Sequence, residues 1–161
     1  MPKFDVKPVA ILAVTAGVAL GSIAPANAET LGKWNYDSPA SFCSIGTKQN
    51  GAMLLMVTSS SGANGMMVIP ADQNSITVGS EYKIKLSIAG HDLPEKTVNS
   101  GLFGGHKVLH IAIKAAKIAA DMPDGFPFRV VMNDKVVFDM DGSASHEAFA
   151  AYVACSKKFG A

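Results

Sequence analysis

Alternation of apolar and polar residues marks the clearest strand of this chain. From Tyr82 to Ile88, four apolar side chains alternate with two lysines and a serine. A period of two places the two sets on opposite faces of a sheet, so the segment predicts a strand with one buried and one hydrated face. The segment from Ala52 to Thr58 is instead almost wholly apolar, which is typical of a strand covered on both faces.

Shorter segments between turn signals predict further strands, at residues 42–46, 66–69, 97–103, 128–132 and 135–140. Residues 59–65 are rich in serine and glycine and predict a loop. The two glycines at 104–105 predict a turn, and the Asn-Asp pair at 133–134 tolerates the positive φ of a tight hairpin. Residues 31–41, which include Trp34, predict either a first strand or an extended arm.

A first helix is predicted after residues 107–113. Those residues alternate as a strand would, yet an apolar stripe at helical spacing runs on through Ala115 and Ile118. We expect a strand that leads into a helix from Lys114 to Met122, because the alanine-rich half favours helix and the following Pro-Asp-Gly stops it.

The C-terminal segment predicts a second helix with a cysteine on its apolar face. Ser143 is the expected N-cap. Ala148, Tyr152, Cys155 and Phe159 follow at helical spacing, so they share one face of the helix. Together with the strands, this pattern predicts an α+β fold: a mainly antiparallel sheet or sandwich with the C-terminal helix packed on it.

The first 28 residues have the pattern of a cleavable secretory signal. Two lysines precede an apolar run from Val9 to Leu20, and small residues at 26–28 precede Glu29. The run is too short to span a hydrocarbon core of about 30 Å as a helix. We expect cleavage of residues 1–28, a single domain at 29–161, a periplasmic or secreted bacterial location, and no permanent membrane span.

The charge balance argues against polyanionic partners. Cleavage would remove Lys3, Asp5 and Lys7, which reduces 14 basic and 13 acidic residues to 12 of each. Binding to nucleic acid or to an anionic membrane surface relies on clustered lysine and arginine, and the sequence has no such cluster. We therefore predict no nucleic acid partner.

Two cysteines predict one disulfide. Cys43 and Cys155 are the only cysteines in the chain, and an exported protein with a single pair most simply joins them. A redox or metal-binding thiol pair is the alternative. It usually depends on the C-x-x-C arrangement, which two cysteines so far apart do not have.

Histidines supply one candidate metal site. His106 and His110 are four residues apart and would share a face of either a helix or a strand. Zinc would be the ion, with His91 or His146 completing the site. The alternative, which we prefer, is that these histidines lie at or near the surface without a metal, and we predict no cofactor.

Methionines supply another candidate. Met53, Met56, Met66 and Met67 fall on one predicted hairpin, and their thioether sulfurs suit copper(I). Methionine also fills irregular space in protein interiors. Because Met53 and Met67 stand within strongly apolar runs, we prefer a core position for them.

Motifs of catalytic or ion-binding types are present only in part. Residues 139–142 resemble a fragment of a calcium loop, but Val137 and Ala148 stand where its outer ligands belong. Residues 101–107 resemble a phosphate loop, but His106 replaces the glycine that precedes the lysine. We therefore predict that the protein is not an enzyme.

An early tryptophan and cysteine, Trp34 and Cys43, precede the predicted sheet, whose last strand leads into a helix along the segment from Phe138 through Asp141-Gly142 to Cys155. This order of elements resembles the invasion-associated locus B-like family of small exported alphaproteobacterial proteins, over most of residues 29–161. The resemblance implies a periplasmic or cell-envelope accessory protein without established catalytic residues, so it implies no catalytic site.

The predicted function is that of a non-enzymatic accessory or binding protein that engages another envelope protein. One alternative is a carrier of a small ligand or a metal, using the interior of the sheet or His106 and His110. Another is a periplasmic protease inhibitor that inserts the segment from Glu29 to Pro39 into a cleft. The partner and the oligomeric state stay open at this point.

Overall fold

A computed structural model describes residues 29–31, 33–38, 40–61, 64–121, 126–141 and 146–160. The predicted signal segment at 1–28, the predicted helix cap Ser143 and the predicted helix stop at 123–125 lie outside the described residues. Within the described ranges, no helix has the length and apolar character needed to cross a membrane.

Strands dominate the described part of the chain. Their bounds are β1 Glu29–Leu31, β2 Trp34–Asp37, β3 Phe42–Gln49, β4 Ala52–Ser59, β5 Asn64–Ile69, β6 Glu81–Ile88, β7 His91–Asp92, β8 Lys96–Phe103, β9 His106–Ile111, β10 Phe128–Met132 and β11 Lys135–Met140. They form one antiparallel sheet in the order β1-β2-β3-β4-β5-β9-β8-β6-β10-β11, with β7 paired to β6. The predicted antiparallel sheet is thereby confirmed.

Two helices cover the inner face of strands β2 to β5, which belong to the first half of the sheet, β1 to β5. Helix α1 spans Ala115–Asp121 and contacts β4 and β5, whereas α2 spans His146–Ser156 and contacts β2 and β3. The helices also contact each other. Both predicted helices are therefore present, and the C-terminal one packs on the sheet as expected.

The sheet bends so that its last strand, β11, contacts β3 and β4. Its two halves and the helices enclose one hydrophobic core. The largest side chains that are fully buried there are Trp34, Phe128, Phe138, Phe149 and Tyr152. Such bulky side chains fill the space between the two halves, as expected for an α+β sandwich.

Strand β3 runs farther than the apolar pattern predicts. It continues past Gly46 to Gln49, where Asn50 and Gly51 turn the chain with φ values of 50° and 80°. Such a pair is the usual connection of a two-residue hairpin. A glycine suits position 46 inside the strand, because a Cβ there would lie 3.2 Å from the carbonyl oxygen of Leu54.

A disulfide between Cys43 and Cys155 joins β3 to α2, as predicted. Both residues are buried, with exposed fractions of 0% and 4%. Next to Cys43 in the β3–β4 pair lies Thr58, whose hydroxyl is 2.8 Å from the hydroxyl of Tyr152. Burial raises the pKa of Tyr152, so its hydroxyl keeps its proton and sustains this bond.

Candidate binding site

The tip of the β8–β9 hairpin exposes apolar side chains. Leu102 and Phe103 end β8 with exposed fractions of 63% and 47%. Gly104 and Gly105 then reverse the chain with φ values of 56° and 81°, a conformation that residues with a Cβ rarely adopt. The turn therefore holds two large apolar side chains at the end of a rigid pair of strands.

One brace of this hairpin is a glutamine in the loop before β6. The amide nitrogen of Gln73 donates to the carbonyl oxygen of Pro70 at 2.8 Å, and the N–H of Lys107 donates to the amide oxygen of Gln73 at 2.7 Å. The ammonium group of Lys107 also donates to the carbonyl oxygen of Ile76 at 2.9 Å. These bonds tie β9 to the loop just after the turn.

Another brace is a buried serine on β8. The hydroxyl oxygen of Ser100 lies 2.7 Å from the carbonyl oxygen of Thr77 and 2.8 Å from that of Ser80, and the N–H of Ser80 donates to it at 3.1 Å. Ser100 is only 7% exposed, and buried polar groups need such partners. The serine thus fixes the loop against the strand that carries Leu102.

The braced loop contributes a third exposed apolar residue. Val78 is 44% exposed, and the N–H of the next residue, Gly79, donates to the carbonyl oxygen of Ser100 at 3.2 Å. Val78 is therefore held close to the strand that leads to Leu102 and Phe103. We call Val78, Leu102 and Phe103 the tip cluster.

Replacing Ser100 with alanine tests the brace. We expect the free energy of unfolding to fall by about 0.5–1.5 kcal/mol, the usual net contribution of a hydrogen bond, because the carbonyl oxygens of Thr77 and Ser80 lose the hydroxyl but each keeps a backbone N–H donor. Denaturant unfolding measures this change. Thr97→Ala, at an exposed position on the same strand, is the matched control and should change stability by less than about 0.5 kcal/mol. Equal effects of the two substitutions would contradict the role given to Ser100.

The two candidate zinc ligands lie on β9 and share a face, but they do not approach one ion. Four residues of strand separate His106 from His110, which corresponds to about 13 Å, whereas Zn–N bonds are about 2 Å long. Among the described residues, no group of three or more histidine, cysteine, aspartate or glutamate residues is placed to hold a metal ion. The spacing of these two histidines along one strand therefore does not favour a shared zinc site.

His110 instead packs across the neighbouring strand. A Cβ added to Gly101 would lie 2.6 Å from Nε2 of His110, so the imidazole occupies the space that the glycine leaves open. Partial burial lowers the pKa of His110. The ring lies over β8 but stays exposed to solvent on its outer side.

The four methionines of the predicted hairpin divide between the two faces of the sheet. Met56 and Met66 form a cross-strand pair and are 0% and 1% exposed, inside the core. Met53 and Met67 are half-buried and point to the opposite face. The core position that we preferred holds for one pair and is wrong for Met53 and Met67, and the four sulfurs do not meet at one copper site.

The segment expected to act as an inhibitory arm is largely part of the sheet. Trp34–Asp37 forms β2, and Trp34 is 1% exposed with its ring centroid 5.1 Å from that of Phe149. Glu29–Leu31 pairs with β2 as β1. Of the two predicted alternatives for this segment, the strand is the one found, because Trp34 packs against Phe149 of α2.

Sequence reasoning did not select the tip cluster. The predicted strand at 97–103 includes Leu102 and Phe103 and ends in a glycine turn, but the strand pattern alone assigns them no binding role. A signal was present, because adjacent residues of a strand point to opposite faces. Two large apolar residues in succession at the end of a hairpin therefore cannot both face one core.

No protein-family model matches this chain, and neither a curated protein nor a solved structure matches it. The resemblance to the invasion-associated locus B-like family therefore stays a prediction from the order of elements.

Proposed function

We propose that this protein is a non-enzymatic accessory protein of the bacterial cell envelope that binds another envelope protein through the tip cluster. The observation that carries the proposal is the exposure of Leu102 and Phe103 at a braced hairpin end. Large apolar side chains that project from a rigid support are typical anchors of protein interfaces. The predicted export signal and the buried disulfide are compatible with work outside the cytoplasm.

Preorganisation supports a binding role. The loop residues Gln73 and Ser80 hold both strands of the hairpin through hydrogen bonds that involve Lys107 and Ser100. Binding to a partner then requires little ordering of the backbone, and a small entropic cost leaves more of the contact energy for affinity. No charged residue belongs to the tip cluster itself, and Leu102 and Phe103 lie on opposite faces of β8. The partner should therefore offer an apolar cleft that receives the end of the hairpin from both sides.

Cross-linking in intact cells tests this function. Tagged protein should capture one envelope protein reproducibly, and Leu102→Ser combined with Phe103→Ser should reduce that capture at least about tenfold, as expected for the loss of two interface anchors. Identification of the captured protein then shows whether it is a protease, as an inhibitor would require.

The control is a serine at another exposed apolar position. Val136 is 55% exposed on β11, a strand that pairs with neither strand of the hairpin, so Val136→Ser should leave capture unchanged. Equal capture by the wild type and by the double variant of the tip would refute the proposed use of the tip cluster. Thermal unfolding of each variant verifies that the fold is retained.

A further inference from the structure

The outer face of the first half of the sheet is apolar and is not covered by either helix. On β4 the buried residues alternate with half-buried ones that point away from the core. The half-buried residues at the centre of the face are Met53, Leu55, Val57 and Met67. Antiparallel sheets usually carry polar residues on the side facing water. Four neighbouring apolar residues on this side therefore point to an interface.

Glycines make this face close to flat at its centre. Gly46 pairs with Leu55, and Leu55 pairs with Met67, so the three residues form a row across the strands. The side chain of Leu55 leans over Gly46, where a Cβ would lie 3.1 Å from its Cδ1 atom. Gly65 lies beside Val57 in the next row. Another sheet can therefore approach this face closely.

Two opposite charges flank the central row on opposite sides. Asp37 is aligned with Ser44, two residues before Gly46 on β3, and Lys48 lies two residues after Gly46. One carboxylate oxygen of Asp37 is buried without a hydrogen-bond partner. Lys48 is exposed and forms no ion pair within the described residues.

We propose that this face binds the same face of a second copy of the chain, about a twofold axis that runs across the strands along the row of Gly46, Leu55 and Met67. Such an axis reverses the strand direction and places each strand over its own copy. The charge at one side of the row then meets the opposite charge at the other side. This self-complementarity is what selects a second copy as the occupant of the face.

The register of the strands defines the contacts of this dimer. Val57 and Met53 lie on opposite sides of the row. Val57 of one copy therefore faces Met53 of the second copy. Gly65 in the same way lies opposite Ile69, which is only 7% exposed in the single chain. Packed sheets lie about 10 Å apart and strands about 4.8 Å apart, and a lysine side chain bridges that distance from Lys48 to Asp37 of the second copy.

Sedimentation velocity on residues 29–161, the predicted mature chain, tests the dimer. The wild type should sediment as a dimer at micromolar concentration, and Leu55→Asp should raise the dissociation constant at least about a hundredfold, because it places an unpaired charge at the centre of the interface. Val136→Asp, on the other half of the sheet, is the matched control and should stay dimeric.

A charge exchange isolates the ionic contact without changing the core. Lys48→Asp alone and Asp37→Lys alone should each weaken the dimer about tenfold or more, since each creates a like-charge contact across the axis. The combined variant restores opposite charges and should regain most of the affinity. Failure of the combination to recover affinity would overturn the proposed pairing.

A wild type that stays monomeric at high concentration would overturn the dimer itself. In a further outcome, the wild type is monomeric and Leu55→Asp no longer captures a protein by cross-linking in cells. The face then binds a different protein, and the proposed dimer is wrong. The proposed function fails by a different result, namely unchanged capture by the variant of the tip cluster. The two proposals are therefore tested separately.

Discussion

Removal of both cysteines, Cys43→Ala together with Cys155→Ala, should lower the free energy of unfolding by about 4–5 kcal/mol at most. The bridge joins residues 112 positions apart, and the chain-entropy model assigns that magnitude to a loop of this length. The loss approaches the whole stability of an ordinary domain, which is about 5–15 kcal/mol. Urea unfolding of both proteins measures the change.

The matched control for the disulfide is the wild type in a mild reductant. Because Cys43 and Cys155 are 0% and 4% exposed, the folded protein should keep its bridge and its unfolding midpoint. The same reductant added to the unfolded protein should cleave the bridge and reproduce the double variant. Equal free energies of unfolding for the variant and the wild type would show that the disulfide does not stabilise the folded protein.

Replacement of Phe149 with alanine should cost about 3–5 kcal/mol, the usual range for removal of a buried aromatic ring. Phe149 is 0% exposed, and its ring centroid lies 5.1 Å from that of Trp34 and 5.3 Å from that of Phe126. The cavity would thus lie where β2, α2 and the segment before β10 meet. Chemical unfolding gives the change in stability.

Fluorescence gives a local measurement of the same substitution. Trp34 is the only tryptophan, and loss of its aromatic neighbour should shift its emission to the red as water gains access. Val153→Ala, on the same helix at a half-buried position, should cost clearly less and leave the emission in place. An unshifted spectrum with full stability for Phe149→Ala would contradict the role of this aromatic cluster.

Two of the contacts that hold helix α2 on the sheet lie close together. Cys155 and Tyr152 are adjacent on its apolar face, and their partners Cys43 and Thr58 are aligned on β3 and β4. Contacts so close together are not independent in their effect on stability. The helix and the first hairpin of the sheet therefore act as one structural unit, and the tip cluster projects from a different part of the sheet.

Local patterns predicted most of the individual elements. Alternation predicted β6 from Tyr82 to Ile88, and the structure extends it by one residue to Glu81. The alanine-rich segment predicted α1 within a residue at each end. These elements follow from side-chain periodicity, which short segments contain in full.

The candidate site was harder to predict, because its residues come from separate segments. Val78 lies more than twenty positions before Leu102, and hydrogen bonds that involve Ser100 and Lys107 bring the loop to the hairpin. The sequence also could not show which way the four methionines of β4 and β5 point, since a wholly apolar strand carries no alternation to separate its faces.

The amino-acid sequence by itself determined the strand-rich composition, the two helices and the identity of the disulfide, because periodicity and a single cysteine pair left few choices. Tertiary structure alone decided that β5 pairs with β9 and β6 with β10. Those pairings join distant segments, and an alternating pattern fits many partners equally well. These pairings and the bend of the sheet together decided which apolar residues lie in the core and which lie at the hairpin tip and on the outer face.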